Sequence, residues 1–471
     1  MTNRFGGGLA IAAALAGMLA VEWVGLPAGR MGVILIATVI GLALVMIIVN
    51  GDLQRAGIFA TCAAAFTLTW NGWFVGPVRP GDLLIPIALI CFVVAAPNNA
   101  FRTPPWWVKQ LAFAIILVAV LAILVPTNPG YLAHRVVLDA TGQPAVSTKG
   151  SIAFATLGVA IKFVIAVAAI PLAFTGAALV DRRAVRWLAV SFVTGAAASG
   201  AAAFLDFLGA SVSGLVTRLP NLHGRQLGFS NHPNFLAAGL VLGVPFACWL
   251  LTSRRTRDRL LGAACLPSLV LGVYASGSRG GAVCVVATLA VAFALLPRTR
   301  AYFPGIALAG AVAGGAVVAF VPAFGAAILR VTRLGGDIGT AGSDTVRAMV
   351  GRQGVADFRH SPINGIGLHV SFEASQVYLQ ELASGGLILF GAMSIYMLGG
   401  MWSAFKLMPD HDLAAALLAA LVATLSLNIF EADLTDRFYY VPAAILVALL
   451  LTHDRAVGAT EPVEQLEPET V

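Results

Sequence analysis

Three polar patches interrupt an otherwise apolar sequence, and each gathers residue types suited to holding an anion. The first is the turn Ser276-Gly277-Ser278-Arg279-Gly280-Gly281. A guanidinium stays charged and meets a phosphate through two parallel hydrogen bonds, while the flanking glycines let such a group approach the backbone. The blander reading of Arg279 is a side chain reaching from a helix end to water. The spacing is not that of a Walker loop, which needs G-x-x-x-x-G-K-[ST]. The second patch, GRQLGFSNHPNFLAAGL, concentrates Arg225, Asn231, His232 and Asn234 around Pro233. Proline at the first helical position and an asparagine cap predict a helix entering here. Capping accounts for one asparagine and leaves the others for a sugar or a phosphate.

The third patch begins with Asp344-Thr345-Val346-Arg347 and continues as HSPINGIGLHVSFEASQVYLQELASGG. His360 and His369 are each either solvated loop histidines or bases titrating near neutral pH. Gly365-x-Gly367 is not a dinucleotide motif, since no strand precedes it. No histidine and carboxylate set stands at coordination spacing, so the expectation is an anion handled without metal or cofactor. Lys162 lies about ten residues into an apolar run, too deep for easy snorkelling. Asp206 or Glu22 is its expected counter-ion.

The elements that must position these patches are membrane helices. Of 471 residues, 59% are hydrophobic and 11% charged, against roughly 25% charged in soluble domains. A single soluble core cannot hide that much apolar surface, and disorder, collagen, disulfide scaffolds and coiled coils are excluded by the same hydropathy. The 50 glycines suit close helix approach in lipid. The five cysteines all fall in apolar runs without C-x-x-C spacing and read as small buried hydrophobes. The net charge of +7 is dispersed through short connections, which points to topology rather than nucleic acid.

A span needs about 20 apolar residues. Fourteen candidates are centred near Ala14, Ala37, Ala64, Ile90, Val118, Val164, Thr194, Leu242, Leu269, Thr288, Ala311, Ser394, Leu421 and Leu446. The expectation is an all-α polytopic integral membrane protein of 12–14 spans. The N-terminal run, with Arg4 and no clear cleavage site, reads as a retained span. The clusters DRRAVR and SRRTRDR anchor an orientation with both termini inside. That orientation places segments 126–151, 208–234 and 322–382 outside. The last, with helical stretches near 344–358 and 374–384, reads as a small ordered cap. Residues 1–452 form the membrane domain and 453–471 an acidic, disordered cytoplasmic tail. No internal repeat supports an inverted-repeat transporter.

Taken in order, the patches resemble the O-antigen ligase and polymerase superfamily of bacterial envelope polysaccharide assembly. GFSNHPNFLA is similar to that family's G-x-F-x-N-P-N-x-L-A entrance. Ser278-Arg279-Gly280 is similar to its S-R-G turn. Arg347, HSPINGIG and SQVYLQELASGG are similar to its outer loop and the helix that follows. The likeness covers about 220–390. Two positions depart from it: Ser375 stands in place of the family histidine, and an aromatic expected after Arg347 is missing, with Gly351 near its place.

The resemblance implies a transferase in the bacterial inner membrane, active on the outer face. It would move a glycan from a polyprenyl-diphosphate carrier to an acceptor hydroxyl on a glycan, lipid or protein. Arg279 and Arg347 would stabilise the leaving diphosphate. His369, or Glu373 after it, would be the base in place of Ser375. Arg225, Asn231, His232, Asn234 and Gln376 would contact substrate. The competing reading is a flippase or transporter of lipid-linked oligosaccharide, which would line a central cavity with ions instead of gathering them at one face.

Overall fold

The computed structural model describes residues 41, 51–72, 79–95, 102–133, 135–138, 144–146, 152–215, 224–296, 298, 338–368, 376–431 and 434–458. In chain order these form α1 (Leu53–Thr67), α2 (Pro80–Ala95), α3 (Trp106–Leu124) and α4 (Pro129–Ala133). A short hairpin follows, β1 (Val136–Leu138) and β2 (Pro144–Val146), antiparallel with Val136 opposite Val146. Next come α5 (Ile152–Val164), a π-helical turn (Ile165–Ala169), α6 (Ile170–Val180), α7 (Ala184–Phe207), α8 (Pro233–Leu251), α9 (Thr256–Ser276) and α10 (Arg279–Leu295). The described residues end with α11 (Ile338–His360), α12 (Val377–Leu407), α13 (Asp412–Leu427), a 3₁₀ turn (Arg437–Tyr440) and α14 (Val441–Gly458).

Apart from the hairpin the described chain is helical. Six helices are long and apolar enough to cross a membrane, and four shorter apolar helices accompany them among the described residues. The expected centres at Ala14, Ala37 and Ala311 lie outside the described residues; each of the others falls within a helix. Of these six, α8 is the most buried, with 89% of its apolar window covered against 44% for α3. α3 instead turns Phe113, Ile116 and Leu124 outward. In a chain this apolar, such a surface is matched by lipid rather than water. All five cysteines are free, and only Cys62 is not fully buried.

Of the stretch expected as a second helix of the cap, 374–384, the part from Val377 on is instead the start of α12. That helix breaks at Gly386, whose φ of 62° and ψ of −156° only glycine adopts without strain. The turn 361–368 is inserted at the break and takes over the freed backbone groups. Ile366 N–H donates to Ala383 O (2.9 Å) and Gly367 N–H to Ser384 O (3.0 Å). In return, Leu387 N–H donates to Pro362 O (2.9 Å) and Ile388 N–H to Ile363 O (3.1 Å). A helix broken in apolar surroundings must be repaired in this way, because no water is at hand to satisfy its ends. A Cβ on Gly365 would strike the Ser384 backbone, and one on Gly386 the Ile363 backbone.

Two further expectations change. Lys162 is exposed on α5 and its field reaches Asp82, whereas Asp206 accepts from the backbone of Ser213 (3.0 Å) and is used in closing a turn. Glu22, the other expected partner, lies outside the described residues. α14 also continues through Gly458, past the boundary expected at 452. Asp454 is the one acidic residue of that tail before the glycine, the rest beginning at Glu461, and no proline or glycine of the tail stands before Gly458 to interrupt the helix.

Candidate functional site

The α8 entrance is built by side chains that take up one another's hydrogen bonds. Pro233 occupies the first turn, and the cap is His232, not the expected asparagine. Its Nδ1 accepts from Asn234 N–H at 3.2 Å. Asn234 lies inside the first turn, where its backbone N–H is the group capped, and its side-chain oxygen accepts from the Arg225 guanidinium. Arg225 Nε donates to Ser276 O (2.8 Å), and Gln226 N–H donates to Ala275 O (3.1 Å). These bonds fasten the 224–230 loop to the end of α9. Burial, followed by the charges of Arg225 and Arg347, pushes His232 down to about 4. The imidazole is therefore neutral at pH 7 and free to accept. Asn231 Oδ1 is buried without a hydrogen-bond partner among the described residues.

The Ser276–Gly281 turn joins this arrangement directly. Ser278 caps α10 by accepting from Gly281 N–H (3.1 Å), and Arg279 follows as its first residue, exposed. It stands at the helix end whose partial charge is positive and favours anions. On the other side, a Cβ at Gly280 would lie 2.7 Å from Phe430 Cβ, so the turn is packed tightly against the segment between α13 and α14.

That segment contributes a residue the sequence reading missed. Glu431 is 3% exposed, and burial pushes its carboxyl up to about 8 against the opposing pull of Arg347, Arg225 and a hydrogen bond with Asn234. Thus Arg225, His232, Asn234 and Arg347 act on one locality, with Glu431 among them. Arg347 itself is exposed on α11. Gln376 is half-buried at the start of α12, where its carbonyl accepts from Gln380 N–H (3.0 Å). His369, Glu373 and Ser375 lie outside the described residues.

The 428–440 segment is held by a second group of charges. Asp436, 2% exposed, accepts from Asn71 and from Arg79 NH1 (2.7 Å). Arg437 Nε pairs with Asp82 Oδ1 at 2.6 Å. Asn428 O accepts from Val377 N–H (3.1 Å), Gln380 Oε1 from Leu434 N–H (3.1 Å), and Tyr440 donates to Leu434 O (2.6 Å). Glu431 is fixed because the residues on either side of it are fixed. α11 is tied in separately. Asp357 takes a bidentate pair from Arg135 (2.9 and 2.6 Å), with further hydrogen bonds from Tyr131 (2.8 Å) and Gln353 (2.9 Å).

Among the described residues, no group of three or more histidine, cysteine or acidic side chains is placed to hold a metal ion. What the site offers chemically is fixed hydrogen-bond donors and guanidinium charge around an ionisable carboxyl. No family model matches the chain, and no curated protein matches it.

Proposed function

We propose that this chain is a membrane glycosyltransferase that moves a glycan from a polyprenyl-diphosphate carrier to an acceptor hydroxyl at the outer face of a bacterial inner membrane. The observation that carries the reading is the convergence of Arg225, His232, Asn234 and Arg347 at the α8 entrance, beside the turn bearing Arg279. The acceptor oxygen forms a bond to the anomeric carbon while the bond from that carbon to the diphosphate oxygen breaks. Negative charge grows on the departing diphosphate, and fixed guanidinium groups stabilise it without reorganising. The acceptor proton passes to a base, for which His369 and Glu373 are the proposed groups. Asn231, Asn234 and Gln376 orient the sugar, and the neutral His232, whose Nδ1 accepts from Asn234 N–H, offers Nε2–H as an uncharged donor.

Transfer from a polyprenyl-diphosphate glycan, followed with purified protein, tests the reading. Arg279→Lys and Arg347→Lys each lower turnover by about 10²–10³, the loss typical of removing one electrostatic stabiliser. Because guanidinium groups carry the charge, turnover persists in excess chelator. Full activity in both lysine variants, or loss in chelator restored by Mg²⁺, overturns the mechanism. Passage of the lipid-linked glycan across vesicles with no new glycosidic bond would instead establish transport.

A further inference from the structure

The contact between α11 and α4 makes a cavity apart from the α8 entrance. It is a broadly open depression of about 690 Å³, lined by Tyr131, Arg352, Val355, Arg359 and His360 together with Gly351 and Ala356. That volume lies within the range of small-ligand sites, about 300–1,000 Å³. Its wall is an aromatic stack: the Tyr131 and His360 rings lie 3.8 Å apart and within 3° of parallel. Tyr131 is held in place because it donates to Asp357 (2.8 Å), which Arg135 and Gln353 hold in turn. Burial and this bond push the Tyr131 hydroxyl up, so it remains a donor.

Charge sets the ligand. Among the described residues the carboxylate bonded to the stack is Asp357, which is 2% exposed and already shared by three donors. Among the described residues no carboxylate lines the cavity, whereas two exposed arginines do. Arg352 and Arg359 are seven residues apart, hence on one face of α11 and roughly 10 Å apart along its axis at about 1.5 Å per residue. Two planar forks at that separation, beside a fixed ring and the apolar Val355, match a short saccharide with anionic groups along its length.

We propose that this cavity binds an acidic oligosaccharide, its carboxylates or phosphates on Arg352 and Arg359 and a sugar face on the His360 ring. The proposal deepens the transferase reading by naming an acidic glycan as what is handled, and rests on it only for that role. The binding itself is separable from transfer.

Isothermal titration calorimetry on the purified full chain provides the test, with tetragalacturonate as the acidic probe, maltotetraose as its neutral counterpart, and inorganic phosphate as a bare anion. Tetragalacturonate binds, and added salt weakens it. The double variant Arg352→Gln/Arg359→Gln weakens it by roughly 10- to 100-fold, as expected for lost charge-assisted hydrogen bonds. His360→Ala weakens both sugars. Arg298→Gln, an exposed change elsewhere, leaves binding unchanged. The proposal is overturned by equal affinity for maltotetraose, by full competition from phosphate at matched concentration, by an unaffected double variant, or by no binding of tetragalacturonate at millimolar concentration. Failure of the transferase reading shows differently, as a wild-type chain that binds tetragalacturonate yet forms no glycosidic bond.

Discussion

Glu431 is the residue whose behaviour follows most directly from where it sits. It lies in the connection between α13 and α14, nearly sealed from solvent, and burial outweighs the attraction of two arginines. A carboxyl raised from 4.5 to about 8 holds its proton in the folded state where the unfolded chain has released it. Stability from this group is complete below about pH 4.5 and declines as the pH rises to about 8. Glu431→Gln keeps the neutral shape and removes the titration. The expected outcome is a variant at least about 1 kcal/mol more stable than wild type near pH 9 and little different near pH 5, read from thermal melts in detergent across that range. Parallel profiles for the two proteins would show that Glu431 does not titrate as described. His232 makes a simpler case. His232→Ala loses the α8 cap and about 1 kcal/mol, whereas His232→Asn keeps it, by the same melts. Equal losses in both variants would remove the capping role.

At the scale of elements, what could be read from the sequence divides by physical cause. The described spans were legible because each is a long apolar run, and crossing lipid demands little else of a sequence. The α8 entrance and the Ser276–Gly281 turn were legible because proline, glycine and capping side chains act on their immediate neighbours. The 428–440 segment was not. Glu431, Asp436 and Arg437 acquire meaning only from distant partners, and Asn71 and Asp436 are 365 positions apart. The break in α12 was hidden because Gly385-Gly386 reads as ordinary small-residue packing until the 361–368 turn is seen inserted there. Two substitutions probe these junctions. Gly386→Ala forces a positive φ on alanine and drives its Cβ into the Ile363 backbone, so it costs at least about 2 kcal/mol. Asp436→Ala leaves Arg79 facing a lost carboxylate and costs about 3–5 kcal/mol, as for one half of a buried pair. Melting temperatures near wild type in either variant would show that the junction is not rigid.

For the molecule as a whole, the decisive question is which way it sits in the membrane. Basic residues are expected to be sparse in short outer connections, yet Arg79 and Arg437 fall there on the proposed orientation. The ion pairs with Asp436 and Asp82 give both a structural reason to be present, so neither argues against the orientation. Arg186 pairs with Asp258, where the two basic clusters that the proposed orientation puts inside meet. The charge distribution therefore predicts that α11 is outside and the α8–α9 connection inside. Replacing the five native cysteines, then introducing Val355→Cys or Arg257→Cys, allows labelling of intact cells with an impermeant maleimide. Both positions are exposed, so reagent access reports sidedness rather than burial. Labelling at 355 alone is the expected result, with 257 reacting only after the cells are opened. Labelling at 257 alone would put Arg225, Arg279, Arg347 and the α11 cavity in the cytoplasm. The carrier glycan would then have to be handled before export, and the proposed outer-face transferase would fall with the orientation.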